Sequence, residues 1–143
     1  MSPGAQLRAL AARVVWQVLD QRQSLKTVLA SARSDIVDSR DRALLEAISY
    51  AVIRHKRSLD YAASRLLQKA LPRDDAITQC LLLVGLAQLH LMKLPEHAAV
   101  SATVDAARLL GKAPRAALIN AILRRSLREG LAVSDDFAVH NDH

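Results

Sequence analysis

The sequence has few aromatic residues, few turn-forming residues and a single cysteine. Among 143 residues there are one tryptophan, two tyrosines, one phenylalanine, four glycines and four prolines. A many-stranded β-sandwich needs many turns, so this composition favours helices that pack through aliphatic side chains. One cysteine cannot form an intramolecular disulfide, and the chain therefore fits a reducing cytoplasm.

The residues needed for catalysis or metal binding are also missing. The glycines are isolated, so no glycine-rich loop is available for a nucleotide. Cys80 lies among leucines and is predicted to be a core residue rather than a nucleophile. His90 and His97 lack cysteine partners, so no metal site is predicted. The sequence predicts no catalytic residue, no metal and no enzyme activity within this chain.

Positive charge dominates the sequence, and it is unevenly distributed. Lys and Arg number 20 against 14 Asp and Glu, which gives a net charge of +6 and a pI of about 10.1. Residues 134–143 contain three acidic residues and no Lys or Arg, so residues 1–133 carry +9. This charge indicates an anionic partner, nucleic acid before membrane, although a solvated basic surface remains the alternative. The apolar run of residues 80–92 is too short to cross a bilayer.

Helical periodicity runs through the chain and predicts an all-α fold of about seven helices with no sheet. In the first helix, one face is apolar: Leu7, Leu10, Ala11, Val14 and Val18. The other helices are predicted after the N-cap residues Ser24 and Ser39, from Ser58 to Pro72, and over residues 74–94, 96–110 and 114–129. Residues 1–133 form the predicted domain. Residues 134–143 are expected to be an acidic tail or the start of a truncated linker.

The first helix carries an aromatic residue opposite its apolar face. At 100° per residue from Leu7, Trp16 lies at about 180°, flanked by Ala9 and Ala12 and one turn from Arg13. An exposed ring beside a guanidinium suits base stacking and phosphate contact. The alternative is that Trp16 packs on the second helix or on the C-terminal tail.

Two further basic clusters are candidate RNA contacts. Arg54, Lys56 and Arg57 lie at the end of the third helix, where cations also stabilise a helix C-terminus. The last helix carries Arg124, Arg125 and Arg128. Arg124 and Arg128 share a face and repel slightly, which an anionic ligand would relieve, and a solvated face is the alternative.

The order of several motifs resembles that of the NusB-like domain family. The motifs are LRALAARVV at residues 7–15, QSL at 23–25, DRALLEAISYAVIR at 41–54, SLD at 58–60, LVGLAQL at 83–89, PEHAAVSATVDAAR at 95–108 and ALINAILRR at 117–125. Within that family the chain is most similar to the N-terminal domain of small-subunit ribosomal RNA cytosine-5 methyltransferases of the RsmB (Sun/Fmu) type. The PEHAAV segment favours this branch over stand-alone antitermination NusB.

The resemblance implies a bundle of about seven helices that binds RNA, with Arg8, Arg13 and Trp16 of the first helix in the RNA surface. Asn120 matches an Asn of that family. Because a polar residue among apolar ones needs a partner, we expect a structural hydrogen bond at Asn120 rather than a ligand role. S-adenosylmethionine and catalytic cysteines are implied only for a separate catalytic domain. This chain contains neither the cofactor loop nor those cysteines.

Three functions follow from these expectations. The first is a cytoplasmic RNA-binding domain that helps place ribosomal RNA for a C-terminal methyltransferase domain in the full-length protein. The second is a stand-alone antitermination factor that binds RNA with a ribosomal protein. The third is an interaction or homodimerisation domain without RNA contact. No membrane partner is expected.

Overall fold

The computed structural model describes residues 1–131 and is all-α over that range, as the periodicity predicts. Its seven α-helices are α1 (Ala5–Leu19), α2 (Leu25–Arg33), α3 (Ser39–Arg54), α4 (Lys56–Leu66), α5 (Ala76–Leu86), α6 (Glu96–Leu109) and α7 (Ala116–Glu129). Short 3₁₀ helices at Arg73–Asp75 and Ala113–Arg115 precede α5 and α7, and a π-helical turn at Ala87–Leu91 extends α5. The predicted acidic tail, residues 134–143, lies outside the described residues.

Local sequence signals define most helix boundaries. Ser24 is the N-cap of α2, and its hydroxyl accepts a hydrogen bond from the Thr27 amide, as predicted. For α3 the predicted N-cap, Ser39, is wrong by one residue. The Asp38 carboxylate caps the helix instead, accepting from the Arg40 amide at 2.7 Å. A carboxylate at this position also interacts favourably with the helix dipole.

The α3–α4 connection is shorter than the sequence predicts. α4 begins at Lys56 rather than Ser58, because His55 alone departs from helical geometry between the two helices. Ser58 is buried within the first turn of α4 instead of starting the helix. The basic residues of this segment therefore surround a sharp corner between two helices.

The central helix of the bundle is α1, which packs against α2, α3, α5 and α6. Ala9 and Ala12 are almost completely buried, so the prediction that they lie on an exposed face is wrong. The physical reason is their size, because alanine lets a second layer of helices approach closely. Only a narrow strip of α1 near Arg13 remains exposed.

The interior also contains α5, whose residues from Cys80 to Leu86 are all buried. Gly85 allows this packing, since a Cβ built there would lie 2.7 Å from Leu123 Cδ2 of α7. Cys80 is a core residue as predicted, and burial raises the pKa of its thiol to about 12. No helix within residues 1–131 is long and apolar enough to cross a membrane.

Candidate nucleic-acid interface

A shallow groove surrounds the single tryptophan, where α1 meets α5 and the end of α6. Its lining, which we call the Trp16 groove, consists of Arg13, Trp16, Gln17, Ile77 and Leu110. Arg13 is exposed, whereas Trp16 is partly buried and packs against the core. Besides the α1 residues Arg13 and Gln17, the groove contains Ile77 of α5 and Leu110, the C-cap of α6, and no residue of α2. One side of the ring is thus held in place while the groove stays open beside a guanidinium.

Arg8, on the same helix, faces the interior. Its Nε donates a hydrogen bond at 2.9 Å to Oε1 of Gln88, which is completely buried in the π-helical turn. Gln88 Nε2 in turn donates to Oγ1 of Thr103, on α6, at 2.9 Å. Burial lowers the pKa of Arg8, and the Asp41 carboxylate partly opposes this shift. The RNA-binding prediction for Arg8 stays a prediction, but its surroundings favour a structural role.

A second depression contains an anchored pair of cations. This cleft, which we call the Asp75 cleft, is lined by Pro72, Asp74, Asp75, Gly111, Lys112, Pro114 and Arg115. The buried Asp75 carboxylate accepts hydrogen bonds from Thr78 Oγ1 at 2.6 Å and Arg115 Nε at 2.8 Å, and Lys112 Nζ lies 2.9 Å away. Burial alone would raise the pKa of Asp75, but these partners outweigh it and lower the pKa. Asp75 therefore holds two cations in defined positions at the surface.

The third depression, the α7 groove, lies between α7 and the segment that follows α4. It has a volume of about 560 Å³ and is lined by Leu66, Leu67, Gln68, Lys69, Ala70, Leu71, Pro72, Arg115, Leu118, Ala121, Ile122, Arg125 and Arg128. The floor is aliphatic, and four of the lining residues are cations. Arg125 joins the two walls, because its Nη1 donates to the Leu66 carbonyl at 2.8 Å while its Nε pairs with Glu129.

These three depressions lie side by side. The α7 groove and the Asp75 cleft share Pro72 and Arg115. Leu110 of the Trp16 groove directly precedes Gly111 of the Asp75 cleft. We call the residues that line the three depressions, from Arg13 to Arg128, the basic band. Its cations are Arg13, Lys69, Lys112, Arg115, Arg125 and Arg128, and its lining carboxylates are Asp74 and Asp75.

Acidic grooves on the other side of residues 67–72 contrast with this band. They contain Asp20 and Asp60 together with Gln79. Lys56 lines one of them and pairs with Asp60 at 3.2 Å. Arg54 and Arg57 are exposed at the same helix corner but line none of the grooves described above. The α3–α4 cluster is therefore separate from the basic band.

The last helix contributes a different pair of arginines from the one that the spacing singles out. Arg125 and Arg128 line the α7 groove. Arg124 lies outside it and donates through Nε to Oδ1 of Asn120 at 3.0 Å. Asn120 thus has the hydrogen-bond partner that was expected for it.

Sequence reasoning names four of the seven cationic and aromatic residues that line the band, namely Arg13, Trp16, Arg125 and Arg128. It missed Lys69, Lys112 and Arg115, because each stands alone in the sequence and belongs to no basic run. A usable signal was the Gly111–Pro114 turn, where two cations flank a helix end. Their common anchor, Asp75, is too distant in sequence to be inferred.

The glycines and the potential metal ligands of residues 1–131 lie at separate places in the fold. Gly85 is enclosed between helices, and the other glycines lie at helix ends, so no glycine forms a phosphate or nucleoside cradle. Within residues 1–131, no three His, Cys, Asp or Glu side chains group closely enough to hold a metal ion. His90 instead hydrogen-bonds Ser126 of α7 at 2.9 Å.

Comparisons with known proteins give matches over almost the whole described part of the chain. The NusB family model matches residues 5–128. Proteins named ribosomal RNA small subunit methyltransferase B are similar to it: 48% identity over 93% of the chain in Xanthomonas campestris, 50% over 96% in Xylella fastidiosa Temecula1, and 44% over 86% in Pseudomonas putida. The chain covers 31%, 32% and 28% of these proteins, so it spans about a third of their length.

Proposed function

The chain belongs to the NusB family, and on that premise we propose that it is an RNA-binding, non-catalytic N-terminal domain of a small-subunit ribosomal RNA cytosine-5 methyltransferase. Its task is to hold ribosomal RNA while the reaction takes place in another part of the full-length protein. That other part supplies the S-adenosylmethionine site. Work on ribosomal RNA implies a cytoplasmic location.

The observation that carries this proposal is the basic band with a partly exposed tryptophan at one end. Arg13 lies beside Trp16 in an open groove, and five further cations follow along the band. A single-stranded RNA can stack an unpaired base on the indole ring and direct its phosphates to the guanidinium groups. Arg54, Lys56 and Arg57 line a separate surface, where Tyr50 and Tyr61 are exposed one helical turn from Arg54 and Arg57. We keep that cluster as a candidate for additional RNA contacts.

The lengths of the relatives support a domain of a larger enzyme over a stand-alone antitermination factor. These relatives are about three times as long as this chain. We therefore expect that sequencing the intact gene will reveal a reading frame that continues after His143 into a methyltransferase domain. Contact with a ribosomal protein or with a second copy of the chain remains a prediction.

The proposal is tested by titrating the protein into a fluorescently labelled single-stranded fragment of small-subunit ribosomal RNA at several salt concentrations. Contacts to four to six phosphates predict a slope of log K against log salt of about −3 to −4. Intrinsic fluorescence adds a direct readout, because Trp16 is the only tryptophan. Base stacking on the ring should quench it.

The variants Arg13→Gln and Trp16→Leu should weaken binding without unfolding the domain, and Trp16→Phe should restore part of the affinity. Lys26→Gln is a matched control, because Lys26 is exposed on α2 and lines none of the grooves described above. The proposal would be contradicted if the RNA affinity did not change with salt concentration, or if no RNA binding were detected below millimolar protein. Equal effects of Arg13→Gln and Lys26→Gln would contradict the assignment of the Trp16 groove.

A further inference from the structure

The α7 groove combines an aliphatic floor with a rim of cations. Leu67, Leu71, Leu118 and Ile122 contribute to the floor. Lys69, Arg115, Arg125 and Arg128 line the groove, and no lining residue is acidic. Two carboxylates outside the lining reduce this charge, since Asp75 binds Arg115 and Glu129 binds Arg125. The groove and its ion-pair partners still carry a net charge of +2.

We propose that the α7 groove is a second RNA site, which holds a single-stranded segment whose unpaired bases rest on the aliphatic floor while Lys69, Arg115 and Arg128 contact its phosphates. This inference rests on the proposed function and extends it from the Trp16 groove to the α7 groove. A duplex would not fit the role, because its bases are stacked and paired within the helix. Only an unpaired strand presents apolar base faces and phosphates together.

The two paired arginines in the groove are well suited to phosphate binding. Arg115 is held by Asp75 through Nε, and Arg125 is held by Glu129 through Nε and by the Leu66 carbonyl through Nη1. An arginine that is already fixed loses less side-chain entropy when it binds a ligand. Asp75 thus acts as a positioning residue for the groove and is not expected to touch RNA.

Continuity with the Trp16 groove favours RNA over an acidic peptide as the occupant. The Asp75 cleft connects both grooves through shared or adjacent lining residues, Arg115 and Pro72 on one side and Leu110–Gly111 on the other. A linear polyanion can follow the whole band and gain contacts at both ends. A short peptide held by the α7 groove alone would gain nothing from Trp16.

The test compares variants of the whole chain for binding to a labelled single-stranded 16-nucleotide RNA. Lys69→Gln combined with Arg128→Gln removes two exposed groove cations, and Lys26→Gln combined with Arg40→Gln, at two exposed residues outside the grooves described above, is the control with equal net charge. Loss of two phosphate contacts should reduce the slope of log K against log salt by about 1.4. If the variant and the wild type bind RNA equally well at 1 M salt, the smaller slope corresponds to about 25-fold weaker binding by the variant at 0.1 M salt. The control pair should change the slope by much less.

A second pair of variants tests the floor of the groove. Ala121 and Ala117 are both exposed on α7, one turn apart, but only Ala121 lines the groove. Ala121→Glu should therefore weaken RNA binding strongly, while Ala117→Glu, with the same added charge, should not. Thermal unfolding of each variant establishes that the fold is intact. Crosslinking with 4-thiouridine RNA should label residues 66–72 and 116–128 in the wild type.

The outcomes separate this inference from the proposed function. If Arg13→Gln and Trp16→Leu weaken RNA binding but the groove variants match their controls, the second site does not exist and the proposed function stands. If the wild type fails to bind RNA, the proposed function and the second RNA site are both contradicted. If a glutamate-rich amphipathic peptide binds with the same sensitivity to Ala121→Glu while RNA does not compete with it, the groove is a peptide site and the inference is overturned.

Discussion

Arg8 should stabilise the fold through Gln88 and contribute nothing to RNA binding. Gln88 is completely buried, and its Oε1 accepts from Arg8 Nε while its Nε2 donates to Thr103 Oγ1 and the Val84 carbonyl. The perturbation is Arg8→Met, which keeps most of the apolar stem and removes the guanidinium. It leaves Oε1 of Gln88 in the interior without its hydrogen-bond donor.

The cost follows from that unsatisfied acceptor. Leaving a buried polar group without a partner lowers the free energy of unfolding by about 1–3 kcal/mol. For 143 residues the entropy of unfolding near the midpoint is about 0.3 kcal/mol/K, so 1 kcal/mol corresponds to about 3 °C. Arg8→Met should therefore lower Tm by about 3–10 °C. The double variant with Gln88→Met should cost less than the two single variants added together, because both partners become apolar.

The assay measures both properties on the same samples. Urea unfolding followed by circular dichroism reports stability, and the labelled RNA titration reports affinity and salt dependence. Arg8→Met should reduce stability and leave the RNA affinity and slope of the folded protein unchanged. Arg13→Gln should leave stability unchanged and weaken RNA binding, since Arg13 is exposed in the Trp16 groove. Wild-type stability together with lost RNA affinity in Arg8→Met would refute this reasoning.

Three further predictions concern the interior and the Asp75 cleft. Because its partners lower the pKa of Asp75 in the fold, its stabilisation is present above the unfolded value of about 3.9 and is lost as the pH falls through the lower folded pKa. Asp75→Asn should remove this acid-dependent part from urea titrations below pH 4. Gly85→Ala should lower the free energy of unfolding by about 1 kcal/mol, since overpacking against Leu123 costs about 1–3 kcal/mol and the helix regains about 1 kcal/mol; an equally stable variant would contradict the close packing of α5 and α7. Cys80 should react with a thiol reagent only after unfolding, because burial raises its pKa to about 12, and fast labelling of the native protein would disprove this.

The local parts of this fold were predictable because they depend on neighbouring residues. Helical periodicity, the Ser24 cap and Gly111 after α6 involve interactions within a few positions along the chain. The N-cap of α3 was misplaced by one residue because Asp38 and Ser39 are both good capping residues. The family resemblance was equally accessible, since it rests on the order of motifs.

The burial of α1 was not predictable from its own sequence. Ala9 and Ala12 are compatible with either an exposed or a buried helix face. Their burial depends on the packing of α5 and α6 against α1. The same applies to Arg8, because Gln88 is 80 residues away. A pattern that repeats every 3.6 residues describes one helix and carries no information on how many neighbours surround it.

The sequence by itself determined the helical class, the buried cysteine and the excess of positive charge, because composition and short-range spacing encode them. The tertiary structure decided which cations act together. Lys69, Arg115 and Arg128 meet only where the segment after α4 lies against α7, and Asp75 anchors Arg115 across 40 residues. Contacts between residues so far apart arise from the packing of whole helices, so the basic band exists only in the folded molecule.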